Sequence, residues 1–429
     1  MLSAANQTNW TSGVTYQYDG NGVTCPAGAT DQTSHLSLVT ATGTNGATFS
    51  HSYCYNNLGE LQQDTQTTAG APYQPFTYTY NAAGFESTVT YPSGRQLTYD
   101  YDGAARPLDV KPTANPSTLY ASVNQYMPQG AIGQLTLRNQ LQEQTCYNAL
   151  LQEVGMRIGT AGPSSNCASQ GGDLLGLGFS YTLASPPPGG SATGSNLQSQ
   201  TMTAPLSSGL GTLTLGQTYG YDTLNRINAV NEAVNGTANW YWNFAADQYG
   251  NLWSNGTNLS SNTTNMAQAQ SYYSTATNRL TQYGSSSSPT SVPNDGYDAA
   301  GNLTDLPESA GIGVGVMQYD GDNHMVQYQA NSQSANITTY DYDGEGRRVR
   351  RTETGVVALT TVYVYDGAGN LAAEYDQGGT PPAGGMQYLT QDHLGSTRLV
   401  TDGNGAPVQR LDTLRLGTRF HRRWGAEAP

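Results

Sequence analysis

A short turn sequence recurs along the chain and limits what the chain can fold into. The stretch YDGAGNLAAEY at 365–375 is rewritten as YDAAGNLTDL from Tyr297 and as YDGEGRRVRR from Tyr342. In the C-terminal half the copies begin at Tyr297, Tyr319, Tyr342, Tyr365 and Tyr388, spaced 22 or 23 residues apart. Looser copies begin at Tyr55, Tyr80, Tyr101, Tyr147, Tyr221 and Ala246. A nearly fixed period of this length predicts a repeat architecture.

The period suits two strands of about seven residues joined by two turns, and it is too short for a strand-helix-strand unit. Segments 76–81, 95–102, 337–343 and 360–366 alternate Thr or Asp with Tyr and Val, as half-buried strands do. The predicted turn residues tolerate positive φ or begin a turn. They are Tyr297, Asp298, Gly301 and Asn302, then Tyr342, Asp343 and Gly346, and then Tyr365, Asp366, Gly369 and Asn370.

A single hairpin is unstable in water, so each repeat needs its neighbours. We predict that the tyrosine of one turn stacks on the tyrosine of the next, with about 0.2–1 kcal/mol per pair. Summed along the chain, such pairs would replace an aliphatic core. Strand twist accumulates over so long a sheet, which must coil or close. The predicted fold class is therefore all-β, a long antiparallel sheet of hairpins coiling into a spiral.

Composition agrees with thin walls and excludes some functions. Only 11% of residues are charged and 36% hydrophobic, with 30 Tyr against 6 Phe. A net charge of −14 argues against nucleic-acid binding through a broad basic surface. No segment approaches the roughly 20 apolar residues of a membrane span. The start, MLSAANQTNW, shows no secretory signal; the chain is cytoplasmic, starts upstream or is exported by another route.

The four cysteines fall as two local pairs, Cys25 with Cys54 and Cys146 with Cys167. Their spacing fits neither a CxxC motif nor a zinc site. Two interpretations stay open. The pairs close as disulfides in an oxidising compartment, or all four are partly buried thiols.

Two segments interrupt the repeats, and both are interpreted as loop insertions. Residues 182–216 contain a Pro-Pro-Pro-Gly-Gly tract, and residues 284–295 read GSSSSPTSVPND. We therefore expect divergent N-terminal hairpins over 1–50, the repeat region over 51–387, a separate signature over 388–412 and a basic tail over 413–429.

The run YLTQDHLGSTRLVTDGNGAPVQRLD at 388–412 is the most specific text in the chain. It resembles the core signature of Rhs (rearrangement hot spot) proteins, and the YDGAGNL units resemble the YD repeats of that family. The resemblance covers about residues 50–412. It extends to bacterial polymorphic toxins and to the C subunit of insecticidal toxin complexes. It implies a sheet that spirals into a partial hollow shell around an effector polypeptide.

The resemblance breaks after the core signature. Family members continue with an aromatic-Pro-Phe-Gly segment and a DPxGL-type motif at which self-cleavage occurs. Here Thr413, Arg415 and Leu416 replace the aromatic residue, Pro and Phe, whereas Gly417 is kept. Five arginines fall between Arg410 and Arg423. This pattern indicates a frameshifted or degenerated end, or else a short basic tail, and the effector is absent from the chain.

The core signature contains residue types that carry chemistry elsewhere. Its key positions are Tyr388, Asp392, His393, Leu394, Gly395, Ser396 and Arg398. Asp, His and Ser so close together on one turn rarely form a catalytic triad. We predict a structural role instead, in which Asp392 and His393 hydrogen-bond neighbouring turns and Leu394 packs inward. Arg398 is predicted to pair with a turn aspartate.

Three segments also allow a weaker interpretation as binding sites. The segments 319–324 and 402–405 place Asp and Gly as calcium loops do, but they lack the full ligand set. YPSGRQ at 91–96 and the tyrosine strips are compatible with sugar stacking. The tail RFHRRW at 419–424 is compatible with anionic lipid or nucleic acid. Turn chemistry, tyrosine packing and a tail without function are the preferred interpretations, so no cofactor or metal is expected.

The leading functional hypothesis is a non-enzymatic β-shell portion of an Rhs-type secreted or cell-surface toxin carrier. Its partner would be an effector polypeptide or missing shell segments, and unprotected sheet edges predict self-association. The first alternative is a surface adhesin that binds glycans or wall polymers through tyrosine-lined strips. The second is a truncated or frameshifted remnant without a present role.

Overall fold

The computed structural model describes residues 13–43, 46–69, 71–72, 75–164, 166–168, 170–181, 196–206, 211–255, 267–284, 289–292, 296–307, 314–329, 336–355, 358–377 and 386–411. The chain divides into two compact units. The first contains Met1–Tyr99, Pro112–Pro116 and Ser291–Pro381. The second contains Asp100–Lys111, Ser117–Thr290 and Pro382–Pro429. Each unit therefore combines an earlier and a later part of the sequence.

Within the described residues, the regular secondary structure is β-strand apart from a short 3-10 helix at Gln270–Tyr272. The strands are β1 Val14–Tyr18, β2 Leu36–Thr42, β3 Thr48–Tyr55, β4 Leu61–Thr68, β5 Ala71–Pro72, β6 Phe76–Tyr80, β7 Glu86–Thr90, β8 Gln96–Tyr101, β9 Pro107–Pro112, β10 Ala121–Tyr126, β11 Ile132–Leu137, β12 Gln142–Tyr147, β13 Glu153–Gly159, β14 Asp173–Ser180, β15 Ser199–Pro205 and β16 Thr212–Tyr221. They continue with β17 Ile227–Val234, β18 Thr237–Ala246, β19 Leu252–Ser254, β20 Gln282–Tyr283, β21 Thr290–Ser291, β22 Asp305–Pro307, β23 Val314–Tyr319, β24 Met325–Gln329, β25 Ile337–Tyr342, β26 Arg348–Glu353, β27 Leu359–Tyr365, β28 Leu371–Gln377, β29 Gln387–Gln391, β30 Thr397–Asp402 and β31 Pro407–Arg410.

The strands pair with their sequence neighbours in antiparallel register, as the repeat period predicts. Burial alternates along them: β2, LSLVTAT, buries every second residue, and β16 follows the same pattern over most of its length. One face of each such strand therefore packs inward. The four strands predicted from alternation are present as β6, β8, β25 and β27. The predicted all-β class with a long antiparallel sheet is confirmed.

The first unit contains two antiparallel meanders, β1 to β8 and β22 to β28, which pack on each other. Phe76 and Tyr78 of β6 contact Val362 and Val364 of β27 in one apolar cluster. Gln66, 3% exposed, donates from Nε2 to the Tyr363 carbonyl at 2.8 Å and accepts from the Tyr365 amide. A buried amide thus satisfies the backbone of the facing strand, as a buried polar group requires.

The second unit contains the meander β9 to β19 and the three-stranded sheet β29 to β31. Its core is mainly aliphatic, and Leu399 of β30 is fully buried within it. The buried members are Leu141, Met156, Ile158, Leu175, Leu177, Phe179, Leu197, Met202, Leu213, Leu215, Tyr219, Val230, Trp242, Phe244 and Leu399. The prediction that tyrosine pairs replace an aliphatic core is therefore wrong. Leucines that look isolated in the sequence share one face of the sheet and assemble across strands.

Both predicted cysteine pairs form disulfides, Cys25–Cys54 in the first unit and Cys146–Cys167 in the second. Of the two interpretations left open, the structure supports the disulfides. The second bridge holds a loop against β12 and β13. Arg157 of β13, 2% exposed, faces that loop. It pairs with Asp173 of β14 and donates to the Gly162 carbonyl of the loop. Both faces of β13 are therefore buried.

The predicted insertion over 182–216 is partly strand. Ser199–Pro205 is β15, and Thr212–Tyr221 is β16, paired in continuous register. The Ser/Thr-rich text looked like a loop, but Gln200, Met202 and Ala204 alternate inward between exposed or half-buried neighbours. Residues 182–195 with the proline tract lie outside the described residues. Of 284–295, Thr290–Ser291 is a short strand, and 285–288 and 293–295 are not described.

Across the described ranges, no helix reaches the length and apolar character that a membrane span requires.

Candidate functional site

The recurring element is a five-residue turn that begins at an Asp or Asn. In the copy at 366–370, the Asp366 amide donates to the Asn370 carbonyl and the Gly369 amide to the Asp366 carbonyl, both at 2.9 Å. Oδ1 of Asp366 accepts the amides of Ala368 and Asn370 at 3.0 and 2.8 Å. One side-chain oxygen thus satisfies two backbone donors. Asn56, Asn81 and Asn148 act in the same way, because an amide oxygen accepts as well as a carboxylate oxygen.

The fourth residue of the turn takes positive φ, which explains the recurring glycine. Gly301, Gly346 and Gly369 have φ of 95°, 77° and 84°. This is a type I turn followed by a left-handed residue, a common hairpin connection. Non-glycine residues occupy the same position at Ala105, Gln140, Leu151, Asn225 and Asn323. At those turns the hydrogen bonds of the first residue hold a conformation that costs a non-glycine residue about 1–2 kcal/mol.

The fifth residue pairs with the second carboxylate oxygen of the first. Arg106, Arg226 and Arg347 donate from Nε to Oδ2 at 2.7–2.8 Å. The amides of Asn251 and Asn302 do so at 2.7 and 2.9 Å. The turn aspartate is thus fully engaged within its own turn.

At many of the turns, the tyrosine that precedes the turn links one repeat to the preceding one. Its hydroxyl donates to a backbone carbonyl near the start of an earlier strand, 2.8 Å from Tyr80 to Leu61 and 2.9 Å from Tyr365 to Arg348. The same bond joins Tyr55 to Leu36, Tyr126 to Pro107, Tyr221 to Leu197, Tyr273 to Leu252, Tyr319 to Leu303 and Tyr342 to Met325. Burial raises the pKa of Tyr80 to about 12, so this hydroxyl stays a donor at neutral pH.

The tyrosine rings pack on the fifth residue of the preceding turn. Tyr342 stacks on His324 with centroids 4.6 Å apart, and the guanidinium of Arg347 lies 5.1 Å above the ring of Tyr365. Arg106 covers Tyr126 in the same way, at 4.2 Å. The predicted stacking of tyrosine on tyrosine is therefore wrong at these turns. A basic side chain or histidine fills the place because it also pairs with the turn aspartate.

The DHLGS segment is another copy of this turn. The Asp392 amide donates to the Ser396 carbonyl, the Gly395 amide donates to the Asp392 carbonyl, and Oδ1 of Asp392 accepts the Ser396 amide, each at 2.9 Å. Because the fifth residue is Ser396, the pairing cation comes from Arg398, whose Nε donates to Oδ2 at 2.8 Å. Both partners are buried, at 6% and 5% exposed. The predicted ion pair of Arg398 with a turn aspartate is confirmed.

Three other predictions for this segment need correction. Leu394 does not pack inward but is 53% exposed, because the third position of the turn points away from the sheet. Tyr388 does not begin a turn and instead lies within β29, since the turn begins at Asp392. Asp392 bonds within its own turn, and the ring of His393 lies edge-on to Phe179 at 4.6 Å. These contacts give the segment a structural role in packing.

Two half-buried acids lie next to this hairpin, and the sequence does not mark them. Burial raises the pKa of Glu143 in β12 to about 7, although a side-chain hydrogen bond with Thr390 acts in the opposite direction. Burial, with the nearby Asp392 and Glu143 carboxylates, raises the pKa of Glu153 in β13 to about 7. No local signal identifies them, because an acidic residue in an alternating strand reads as an ordinary polar position.

The first unit holds a cavity of about 360 Å³ beside β1. Aromatic and acidic side chains line it: Tyr16, Tyr340, Tyr342, Asp320, Asp322, Asp341, Asp343 and Glu345. Tyr16 is 51% exposed, and its hydroxyl donates to the Gly344 carbonyl at 2.9 Å. Such a wall combines ring faces with hydrogen-bond acceptors.

In the two segments that resemble calcium loops, the aspartates serve their own turns. In 319–324, Oδ1 of Asp320 accepts the amides of Asp322 and His324. In 402–405, Oδ1 of Asp402 likewise accepts the Asn404 amide. Within the described ranges, no group of three or more metal-ligating side chains is arranged to hold an ion. Tyr91 of YPSGRQ packs edge-on to Phe76 at 5.3 Å. The basic tail over 413–429 lies outside the described residues.

The antiparallel meanders, the repeated Asp or Asn turns and the tyrosine links define a YD-repeat β-wall. A crystal structure of TcdB2-TccC3-TEV has this fold, with a TM-score of 0.52 and 13% identity over 94% of this chain. The Photorhabdus luminescens Tc holotoxin pore with a mutated TccC3 gives a TM-score of 0.48 and 13% identity, also over 94% of this chain. The predicted resemblance to toxin-complex shell proteins is confirmed at the level of the fold.

The chain spans under a quarter of the length of these structures, 23% and 22%. No family model matches the sequence, and no curated protein matches it.

Proposed function

We propose that the chain is a non-enzymatic section of the β-shell of an Rhs-type toxin carrier, secreted or at the cell surface, that encloses or displays an effector polypeptide. The observation that carries the proposal is the repeat link: the hydroxyl of a turn tyrosine donates to the backbone of a preceding repeat at many of the turns, as those of Tyr80, Tyr342 and Tyr365 do. The link makes a thin wall from hairpins that are unstable alone. The fold of TcdB2-TccC3-TEV supports the proposal.

The chemistry of the wall fits a container better than an enzyme. The carboxylate oxygens of the turn aspartates, such as Asp366 and Asp392, accept hydrogen bonds from backbone amides and from the pairing side chain. A catalytic acid or base needs a free position beside a substrate. These carboxylates are instead committed to the shape of the turn.

The two disulfides support an oxidising location. Cys25–Cys54 and Cys146–Cys167 each close a local loop, and such bridges persist outside the reducing cytosol. Such a location fits a carrier that is exported to the periplasm or beyond.

Protease protection tests the proposal. The chain is co-expressed with each polypeptide encoded beside its gene, and the lifetime of that polypeptide under proteinase K is measured with and without the chain. We expect at least about tenfold slower digestion for the cognate effector, since cleavage tracks the accessible fraction. The matched control is an unrelated polypeptide of equal length. Equal digestion of every candidate with and without the chain would overturn the carrier role.

A second candidate function is glycan binding, favoured by the cavity beside β1. Tyr16 and Tyr18 project from a strand that is exposed along its length, and Tyr16 lines the cavity together with Tyr340 and Asp320. Concave sites that pair apolar ring faces with a few polar groups are typical of small-ligand binding.

A glycan array compares wild type with Tyr16→Ala. Saturable binding that weakens at least about tenfold in the variant supports the adhesin, since a removed ring contact of this size exceeds 1 kcal/mol. Tyr249→Ala, at a tyrosine 70% exposed in the second unit, is the matched control. Binding that is absent, or that falls equally in both variants, rejects this candidate.

A further inference from the structure

β1 forms a border of the meander β1 to β8 in the first unit. It pairs with β2, with Tyr16 opposite Val39, and among the described residues no strand pairs with its other side. All five of its residues are exposed. The Gly13 carbonyl accepts the Thr42 amide, so the backbone groups of the alternate residues Val14 and Tyr16 point away from β2. Such outward donors and acceptors are a template for another strand.

The side chains of Val14 and Tyr16 continue the buried face of β2. In the register of the two strands they share that face with Ala41 and Val39, which are 4% and 1% exposed. Val14 and Tyr16 themselves are 36% and 51% exposed. Together with Ala41 they line the cavity of about 360 Å³. A strand added to the edge of β1 would extend this face and place every second side chain beside the cavity.

The wall of the cavity selects the charge of such a strand. It carries five carboxylates, those of Asp320, Asp322, Asp341, Asp343 and Glu345. Arg347 and Arg350 each pair with members of this set. His324 pairs with Asp320. Five carboxylates against three basic groups leave the wall negative even when His324 is counted as charged. A basic side chain therefore suits this wall better than a neutral sugar does.

We propose that the edge of β1 and the acidic cavity together form a docking site for an extended polypeptide segment with arginine or lysine at alternate positions. The backbone of the segment pairs with Val14 and Tyr16, as peptides do when they add a strand to a sheet edge. Its basic side chains enter the cavity, where the carboxylates and the ring of Tyr16 favour a cation. Residues 1–12, which precede β1, contain neither Lys nor Arg, so they lack the charge that this site selects.

Binding of short peptides to the intact chain tests the selection by charge. Three fluorescent peptides of about seven residues alternate threonine with arginine, glutamine or glutamate, and anisotropy measures their affinity. We expect the arginine peptide to bind at least about tenfold more tightly than the other two, and its affinity to fall as salt is raised. Equal affinities, tightest binding of the glutamine peptide, or no saturable binding of the arginine peptide up to about 1 mM overturns the proposal.

Backbone N-methylation of the arginine peptide tests the pairing with β1. Only every second amide of an added strand faces its neighbour. In an antiparallel arrangement these are the amides of the arginines, because their side chains share the face of Val14 and Tyr16, and in a parallel arrangement they are the amides of the threonines. Methylation of one set should weaken binding at least about tenfold and methylation of the other set very little. Equal effects of both sets would show that the peptide does not add as a strand.

The variant Asp322→Asn removes one carboxylate from the wall. Asp322 occupies the third position of its turn, where other copies have Ala368 or Leu224, so the turn should keep its conformation. We expect the arginine peptide to bind roughly threefold more weakly or worse, whereas the exposed Glu374→Gln in β28 leaves binding unchanged. An equal change in both variants, or none in either, rejects the role of the wall. Binding is measured on the chain alone, so its result does not depend on the carrier role or on the glycan array.

Discussion

The turn at Asp392 and the turn at Asp222 have the same backbone hydrogen bonds but lie in different surroundings. Asp392 and Arg398 are buried beneath the aliphatic core, with side chains 1% and 6% exposed. Asp222 and Arg226 form the same kind of pair with side chains 26% and 34% exposed. One turn sequence therefore serves as a surface connector in one copy and as a buried ion pair in another. The contribution of the ion pair to the free energy of unfolding therefore depends on how deeply the turn is buried.

The largest expected effect comes from breaking the buried pair. Arg398→Met leaves the Asp392 carboxylate buried without its cation and should lower the free energy of unfolding by about 3–5 kcal/mol. Guanidinium denaturation followed by tryptophan fluorescence measures it. The control Arg226→Met, at the half-exposed copy, also removes hydrogen bonds to the Asp247 and Ala246 carbonyls but should still cost clearly less, because water reaches the carboxylate left behind. Equal costs would show that burial does not distinguish the two turns.

The next largest loss of stability is expected from substitutions at the fourth position of the turn. Gly369 has φ of 84°, so Gly369→Ala should cost about 1–2 kcal/mol in thermal or chemical unfolding. Ala105 already occupies the equivalent position at φ of 62°, so Ala105→Gly should stabilise the chain or leave it unchanged, the relief being reduced by about 0.4–1 kcal/mol of unfolded-state entropy. Stabilisation by Gly369→Ala would contradict the positive φ assigned to this position.

The link between repeats should give a smaller effect. Tyr365→Phe removes the hydroxyl that donates to the Arg348 carbonyl and should cost about 0.5–1.5 kcal/mol. Tyr249→Phe, at a ring 70% exposed on the tip of its turn, should change stability very little. If the two substitutions had the same effect, the hydroxyl link would not hold the repeats together.

The smallest expected effect is a difference in acid unfolding between turns that begin with Asp and turns that begin with Asn. Hydrogen bonds from the Arg106 side chain and backbone lower the pKa of Asp102 below 3.8. This turn therefore adds stability above pH 3.8 that is lost as pH falls through the lowered pKa. Asp102→Asn should make the acid unfolding curve shallower, and Asn81→Asp should make it steeper. Circular dichroism between about pH 2 and 5 measures both. Parallel acid curves for wild type and both variants would contradict the assignment.

The sequence predicts the turns and strands well because both depend on local chemistry. The Asp or Asn that accepts two amides and the residue at positive φ lie within five positions of each other. The conformation of each turn is therefore determined by residues within that turn. The alternation in segments such as 360–366 is equally local. The pairing of Cys25 with Cys54 could be proposed for the same reason, because the two residues are close in sequence.

The core and the two half-buried acids could not be predicted because they depend on contacts between distant segments. Leu399 meets Leu141 only once β30 lies over β12, and no periodicity of either segment announces it. Glu143 reads as an ordinary polar position of an alternating strand until Thr390 covers it. The partners of these tyrosine rings were missed for a different reason: no local pattern shows that His324 and Arg347, which pair with the aspartates of their own turns, also present a flat face to the next ring.

The hydroxyl of Tyr365 reaches only as far as Arg348, and that of Tyr342 only as far as Met325. These hydroxyls thus couple a hairpin to its immediate predecessor, as in a one-dimensional lattice. Gln66, by contrast, joins β4 to β27 across 297 residues of sequence. Damage to one hairpin should therefore spread both to its sequence neighbours and to the meander that packs on it, so whole hairpins could be gained or lost only together with the strands that face them.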